Sequence, residues 1–166
     1  MVGHFVLHAY RSWNADNPNG YISRGHHGIL APDEGIARYR NRIAAQPVVV
    51  WDSASQDLIL RLAKDICIHE IWRLHGVAIT ATHIHAVVSV RDSMEPATMQ
   101  HRLKRLLGKN LSQGSGNRGK RWFSRGGQPT RVRDAKHLHY LLRQYLPQQG
   151  GLYWCEGMAK ARRATL

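Results

Sequence analysis

Thr82-His83-Ile84-His85-Ala86-Val87-Val88-Ser89-Val90 is the stretch whose reading decides the fold. Side chains alternate across a β-strand, so His83, His85, Val87 and Ser89 share one face and Ile84, Ala86, Val88 and Val90 the other. The second face is apolar throughout and belongs against a core. On the first face, two imidazoles two residues apart stand about 7 Å apart by strand rise and can converge on one ion. Neutral imidazole suits Mn and Zn, whereas Mg needs added oxygen ligands. The competing reading is two unrelated histidines on a half-exposed strand, in a chain that carries 11 of them.

Working outward, Gly76–Ala81 is a second β-rich run, close enough to pair with 83–90 as a hairpin. Before it, Ser53 with Gln56 forms a capping-box pattern. Leu58, Leu62 and Ile66, with Ile59, Ala63 and Ile71, then repeat at helical spacing to about Leu74, and Gly76 ends the helix. Phe5–Tyr10 is a first strand. Residues 14–48 are broken by Gly20, Gly25, Gly28 and Pro32 around a short helix over Asp33–Ile43. Downstream, a helix starts near Ser93–Pro96 and aligns Met99, Leu103, Leu106, Leu107 and Leu111. Gly108–Gly127 reads as a Gly/Ser-rich loop and Thr130–Arg133 as a strand. A last helix opens on Asp134 as N-cap and runs through Leu138, Leu141, Leu142 and Tyr145 until Pro147 disturbs it. Residues 150–166 form a tail anchored by Tyr153 and Trp154, basic at Lys160, Arg162 and Arg163. The order predicts an α+β fold in one domain over residues 1–166, with helices on one face of an antiparallel sheet.

Charge narrows the partners. With 24 Lys+Arg against 11 Asp+Glu, the net charge is +13 and the pI about 10.6, a field that favours polyanions, nucleic acid first. From Arg102 to Arg133 there is no acidic residue. Arg102, Lys104, Arg105, Lys109, Arg118, Lys120, Arg121, Arg125, Arg131 and Arg133 are candidate phosphate contacts, and Trp122 or Phe123 could stack an unpaired base. The bland alternative is a solvated basic face. Cys67 and Cys155 have neither metal-type nor disulfide-framework spacing, and Cys67 reads as a buried free thiol. His4, His8 and Arg11 interrupt any signal-peptide core, and no apolar run approaches the ~18 residues of a membrane span. The expectation is a cytoplasmic, nucleoid-associated protein with no membrane partner.

A phenol with an ordinary pKa of ~10 is a poor nucleophile, but a metal that polarises a phosphate lowers the barrier to its attack. The last helix offers Tyr140 and Tyr145, each with a glutamine four residues on, Gln144 and Gln149, where an amide oxygen would come alongside as a further ligand. An aromatic on a helix is more often core packing, and only the histidine pair makes these tyrosines interesting. His137 and His139 are also two apart, but on a helix they diverge.

Taken together, His83-Ile84-His85 on a strand, Trp122 and then Val132-Arg133-Asp134, and the helix carrying Tyr145-Leu146 resemble the single-tyrosine HUH transposases, and more closely the REP-associated tyrosine transposases. The likeness covers about residues 70–152, with Phe5–Arg11 fitting the first strand; 12–50 has no counterpart in the family and reads as an insertion. It implies a ferredoxin-like antiparallel sheet, Mg2+ or Mn2+ held by His83, His85 and Gln149, and Tyr145 attacking to form a 5′-phosphotyrosine. The implied substrate is single-stranded or hairpin-forming DNA, cut and rejoined by a monomer or homodimer. Ala81-Thr82 stands where the family has Pro-Asn, and Pro147-Gln148-Gln149-Gly150 replaces the usual ending. Tyr140 with Gln144 is therefore the fallback pair. A histidine-triad hydrolase would need a third histidine where Val87 stands. The alternative from another class is a non-catalytic basic nucleic-acid-binding module derived from such a transposase.

Overall fold

A computed structural model of the chain describes residues 1–164 apart from Ile22, Arg24, Asp92, Ser93, Ser115, Arg118 and Gln128. The strands are β1 (Val2–His8), β2 (Arg73–Ile79), β3 (His83–Ser89), β4 (Thr130–Arg131), β5 (Leu152–Cys155) and β6 (Arg162–Arg163). They form one antiparallel sheet in the order β4-β1-β3-β2-β5-β6. The helices are α1 (Glu34–Arg42), α2 (Ser53–His69), α3 (Pro96–Gly114) and α4 (Ala135–Tyr140). The last continues without a break into a π-turn, Leu141–Tyr145, and a 3-10 turn, Leu146–Gln149. The fold class is α+β, as the element order implies.

β3 lies between β1 and β2, and its alternation is as read: Ile84, Ala86, Val88 and Val90 enter the main core. There they meet Ile59, Ala63 and Ile66 of α2 and Met99, Leu103, Leu107 and Leu111 of α3. The two long helices thus share one face of the sheet. On the opposite face Val87 and Ala78 pack against Leu141 and Leu146 from the segment after α4. Each contact follows from period-two burial on the strand meeting a helical stripe.

Several boundaries differ from the sequence reading. The N-cap of α2 is Asp52, whose carboxylate accepts from the Ser55 amide at 2.8 Å, while Gln56 is buried and donates to the Trp51 carbonyl. The helix ends at His69, because Ile71 takes φ 57° and turns the chain so that the Trp72 amide bonds back to the Cys67 carbonyl. Leu74, which continues the helical period, therefore belongs to β2. α3 extends through Gly114, seven residues into the expected loop, since the buried Leu111 continues its apolar stripe and outweighs the ~1 kcal/mol cost of Gly108. The stretch read as a tail is paired over its described residues, 150–164: β5 pairs with β2 from Gly76↔Cys155 to Ile79↔Leu152, and β6 pairs with β5. Residues 12–50 hold α1 and a small cluster of Ala15, Tyr21 and Ala37.

Gly76 is a close approach that bears on the site. It sits in β2 beside a register shift, and a Cβ there would lie 2.6 Å from Leu142 Cδ2 and 3.1 Å from Leu146 Cδ1. Its bare backbone lets the segment after α4 lie flat on the sheet.

Candidate active site

The register of the central strands gathers four imidazoles. Val6 pairs with His85 and His8 with His83 across β1 and β3, and alternation puts His4, Val6 and His8 on the face that carries the histidine pair. Ring centroids of His83 and His85 are 4.9 Å apart, closer than strand rise alone gives. His4 stacks on His85 at 5.4 Å with an 18° interplanar angle, and His8 lies 5.9 Å from His83, flanked by Trp13 at 5.5 Å. His4 and His8 escaped the sequence reading as site residues. Their signal was present as two histidines four apart with the apolar Phe5 and Leu7 between, but it needs the long-range pairing of β1 with β3 to gain meaning.

Tyr145 arrives from the other side. Its ring stands edge-on at 5.4 Å from both His85 and His4. The π-turn, closed by the Leu146 amide on the Leu141 carbonyl, widens the helix just before the proline. Such turns recur at functional sites. Pro147 is then taken up in the 3-10 turn, so it does not expel Gln149. Gln149 folds back, donating to the Tyr145 carbonyl at 3.1 Å. His8, His83, His85, Tyr145 and Gln149 all line one cleft of about 790 Å³, which Ser124–Gly127 also lines. Tyr140 is 47% exposed with its ring 6.3 Å from that of Tyr145, and neither it nor the exposed Gln144 lines the cleft.

The imidazoles are held uncharged. Burial, then the neighbouring His83, His4 and His8, push His85 down to about 3. Burial, then His137, push His4 down to about 4. Burial is also the main cause that lowers His8 and His83, and it raises the Tyr145 phenol, with Tyr140 adding to the effect. His83 Nδ1 is within hydrogen-bond distance of the Thr80 and Thr82 hydroxyls, 3.1 and 3.0 Å away. His85 Nδ1 lies 3.2 Å from His4 Nε2, while its own Nε2 is buried with no hydrogen-bond partner among the described residues. Buried polar atoms are almost always paired, so this orphan marks a position built for something else. Among the described residues no three His, Cys, Asp or Glu side chains are arranged to hold a metal. Any ion here must complete its shell from an amide, water or substrate.

One consequence is acid sensitivity. The unfolded chain takes up protons at His4 and His85 near pH 6.5, the folded chain only near pH 4 and 3. Stability from this pair is full above 6.5 and is lost as pH falls through that window, about 2 kcal/mol each by pH 4.5. Urea unfolding at pH 7.5 and 4.5 should show that loss, and replacing both histidines with phenylalanine should reduce it, leaving the part that His8 and His83 contribute; equal midpoints in the parent chain would contradict the assignment.

No protein-family model and no curated protein matches the chain. Among solved structures it is similar to a protein from Deinococcus radiodurans R1 provisionally described as a transposase, with a TM-score of 0.50, 11% sequence identity and 90% of each chain covered. That likeness shows a shared fold. No helix among the described residues is long and apolar enough to cross a membrane.

The basic residues divide into three groups. Arg105, Lys120, Arg121 and Arg125, with Lys104, line a groove of about 510 Å³ beside Trp122, and Ser124–Gly127 joins that groove to the cleft. The Trp122 ring carries Lys120 Nζ 4.2 Å above it and donates its indole N–H to Ser112 Oγ. Lys104 and Arg102 already have partners. The Lys104 ammonium donates to the Ser124 carbonyl at 3.0 Å and to the Gly126 carbonyl, tying the loop to α3. Arg102 pairs with Glu70 and lies over Trp72, on the helical layer. Lys109, Arg131 and Arg133 are exposed but line neither groove nor cleft. Arg118 lies outside the described residues.

Proposed function

We propose that the protein is a single-tyrosine HUH enzyme that nicks and rejoins single-stranded, hairpin-forming DNA ends, in the manner of a transposase. The observation that carries this is the meeting of the Tyr145 ring with the His83–His85 pair and Gln149 in one cleft. The description of the structurally similar Deinococcus protein as a transposase agrees with it.

The donor set suits Mg2+ or Mn2+. His83 and His85 are neutral, His85 Nε2 has no partner among the described residues, and the Gln149 amide can supply an oxygen. These three residues would hold the ion, which when bound polarises the scissile phosphate and stabilises its developing charge. Tyr145 supplies the nucleophile: its phenol oxygen bonds to phosphorus as the bond to the 3′-oxygen breaks. The phenolic proton ends on the departing 3′-hydroxyl, and a 5′-phosphotyrosine remains. Because the aryl phosphodiester conserves the bond energy, a 3′-hydroxyl can reverse the step. Packing of the phenol against His4 and His85 restricts its rotamers and holds it at the reacting centre. Arg105, Lys120, Arg121 and Arg125 steer the strand along the groove, with Trp122 beside it.

Incubation with hairpin-tipped single strands and Mn2+ or Mg2+ should yield a covalent protein–DNA adduct, absent with chelator and mapping to Tyr145 by mass spectrometry. DNA binding without cleavage under any divalent ion would overturn the proposal in favour of a passive basic module. Binding itself should weaken with salt at a log–log slope of about −3, at ~0.7 per phosphate for four groove cations. A flat dependence would remove the groove from the DNA path.

A further inference from the structure

We infer that His4 is a positioning residue that fixes the tautomer of His85, an inference that rests on the metal reading of the cleft. His4 lies on β1 diagonally across from His85, since Val87 is its direct partner and Val6 that of His85. The two buried rings stack, and His4 Nε2 is 3.2 Å from His85 Nδ1. At neutral pH both rings are uncharged, so one proton lies between these nitrogens and belongs to one of them.

Two assignments are possible, and they leave His85 in opposite states. If His4 donates, the proton of His85 is on Nε2, a buried N–H that finds no acceptor. A buried donor without an acceptor is costly and rare. If His85 donates from Nδ1 to His4 Nε2, its own buried Nε2 keeps a bare lone pair, the state in which it can accept a cation. Only the second assignment avoids the stranded N–H, and it is the form a metal ligand needs. His83 has an analogous arrangement, with the Thr80 and Thr82 hydroxyls available to accept from its Nδ1. His4 differs in being a third imidazole recruited from another strand. It also touches Tyr145 edge-on at the same 5.4 Å as His85 does, so the three rings pack together.

The tautomer can be read without metal or DNA. In 15N-labelled, metal-free protein, long-range 1H–15N correlations should place the His85 proton on Nδ1. His4→Phe keeps a stacked ring but no acceptor, and should move the proton to Nε2 and weaken Mn2+ binding roughly 10–100-fold. His4→Gln offers an amide oxygen in its place and should restore the Nδ1 proton and most of the affinity. A wild-type His85 protonated on Nε2, or an Nδ1 proton that persists in folded His4→Phe, overturns the inference. Should His4→Phe fail to fold, the wild-type spectrum and His4→Gln still decide it. If wild type takes up no Mn2+, the proposed function fails while the spectra still settle the role of His4.

Discussion

Replacing Tyr145 with phenylalanine is expected to abolish the covalent adduct and to lower strand cleavage by at least ~10³-fold, because among the described residues lining the cleft the one other hydroxyl, that of Ser124, is engaged with the Ala9 carbonyl. The substitution is structurally mild. The ring packs against Ala78, Val87, Leu141 and Leu146, and phenylalanine retains that packing and the edge contacts to His4 and His85. DNA binding and Mn2+ binding should stay within a few-fold of wild type, which separates loss of chemistry from loss of the site. Tyr140→Phe is the companion variant. Tyr140 is half exposed and lies beyond Tyr145 from the histidines, so its loss should leave adduct formation nearly unchanged. The reverse pattern, an adduct in Tyr145→Phe and none in Tyr140→Phe, would reassign the nucleophile.

Period-two alternation over 83–90 correctly assigned each side chain to its face, because a strand buried on both sides leaves no freedom of register. The helical stripe of α3 and the Asp134 cap of α4 were equally legible, being local patterns. Tyr145 and Gln149 could be named from spacing, but their meeting with His83 and His85 depends on how the chain packs after α4. Three features lay beyond local pattern. His4 and His8 gain their place only by pairing with residues about eighty positions away. β5 is a four-residue strand between Gly151 and Gly157, too short to show alternation. Arg102 and Lys104 look like their basic neighbours in sequence, yet Glu70 and the Ser124 and Gly126 carbonyls have already engaged them. Charge counts cannot separate a cation facing DNA from one holding a loop.

Gly76→Val tests whether the seat of the tyrosine segment on the sheet places the phenol, and cleavage is expected to fall about 100-fold. A Cβ at this position reaches Leu142 Cδ2 at 2.6 Å, Leu146 Cδ1 at 3.1 Å and Cys155 Cβ at 3.4 Å. Leu142 is half-buried and its methyl can swing aside, so alanine should be tolerated with a modest loss. Valine adds two γ-carbons toward Leu146, which is fully buried and has nowhere to go. The segment must then lift, taking Tyr145 and Gln149 with it, and a displacement of about 1 Å suffices for a 10²-fold loss. The main core on the other face, against α2 and α3, is untouched, so the stability loss should stay near ~1–3 kcal/mol and the chain should remain folded. Adding Leu142→Ala to Gly76→Val opens space on the same face and should return part of the cleavage. Full activity in a folded Gly76→Val would mean that the phenol finds the histidines by some route other than this contact, and the static packing seen here would no longer explain the site.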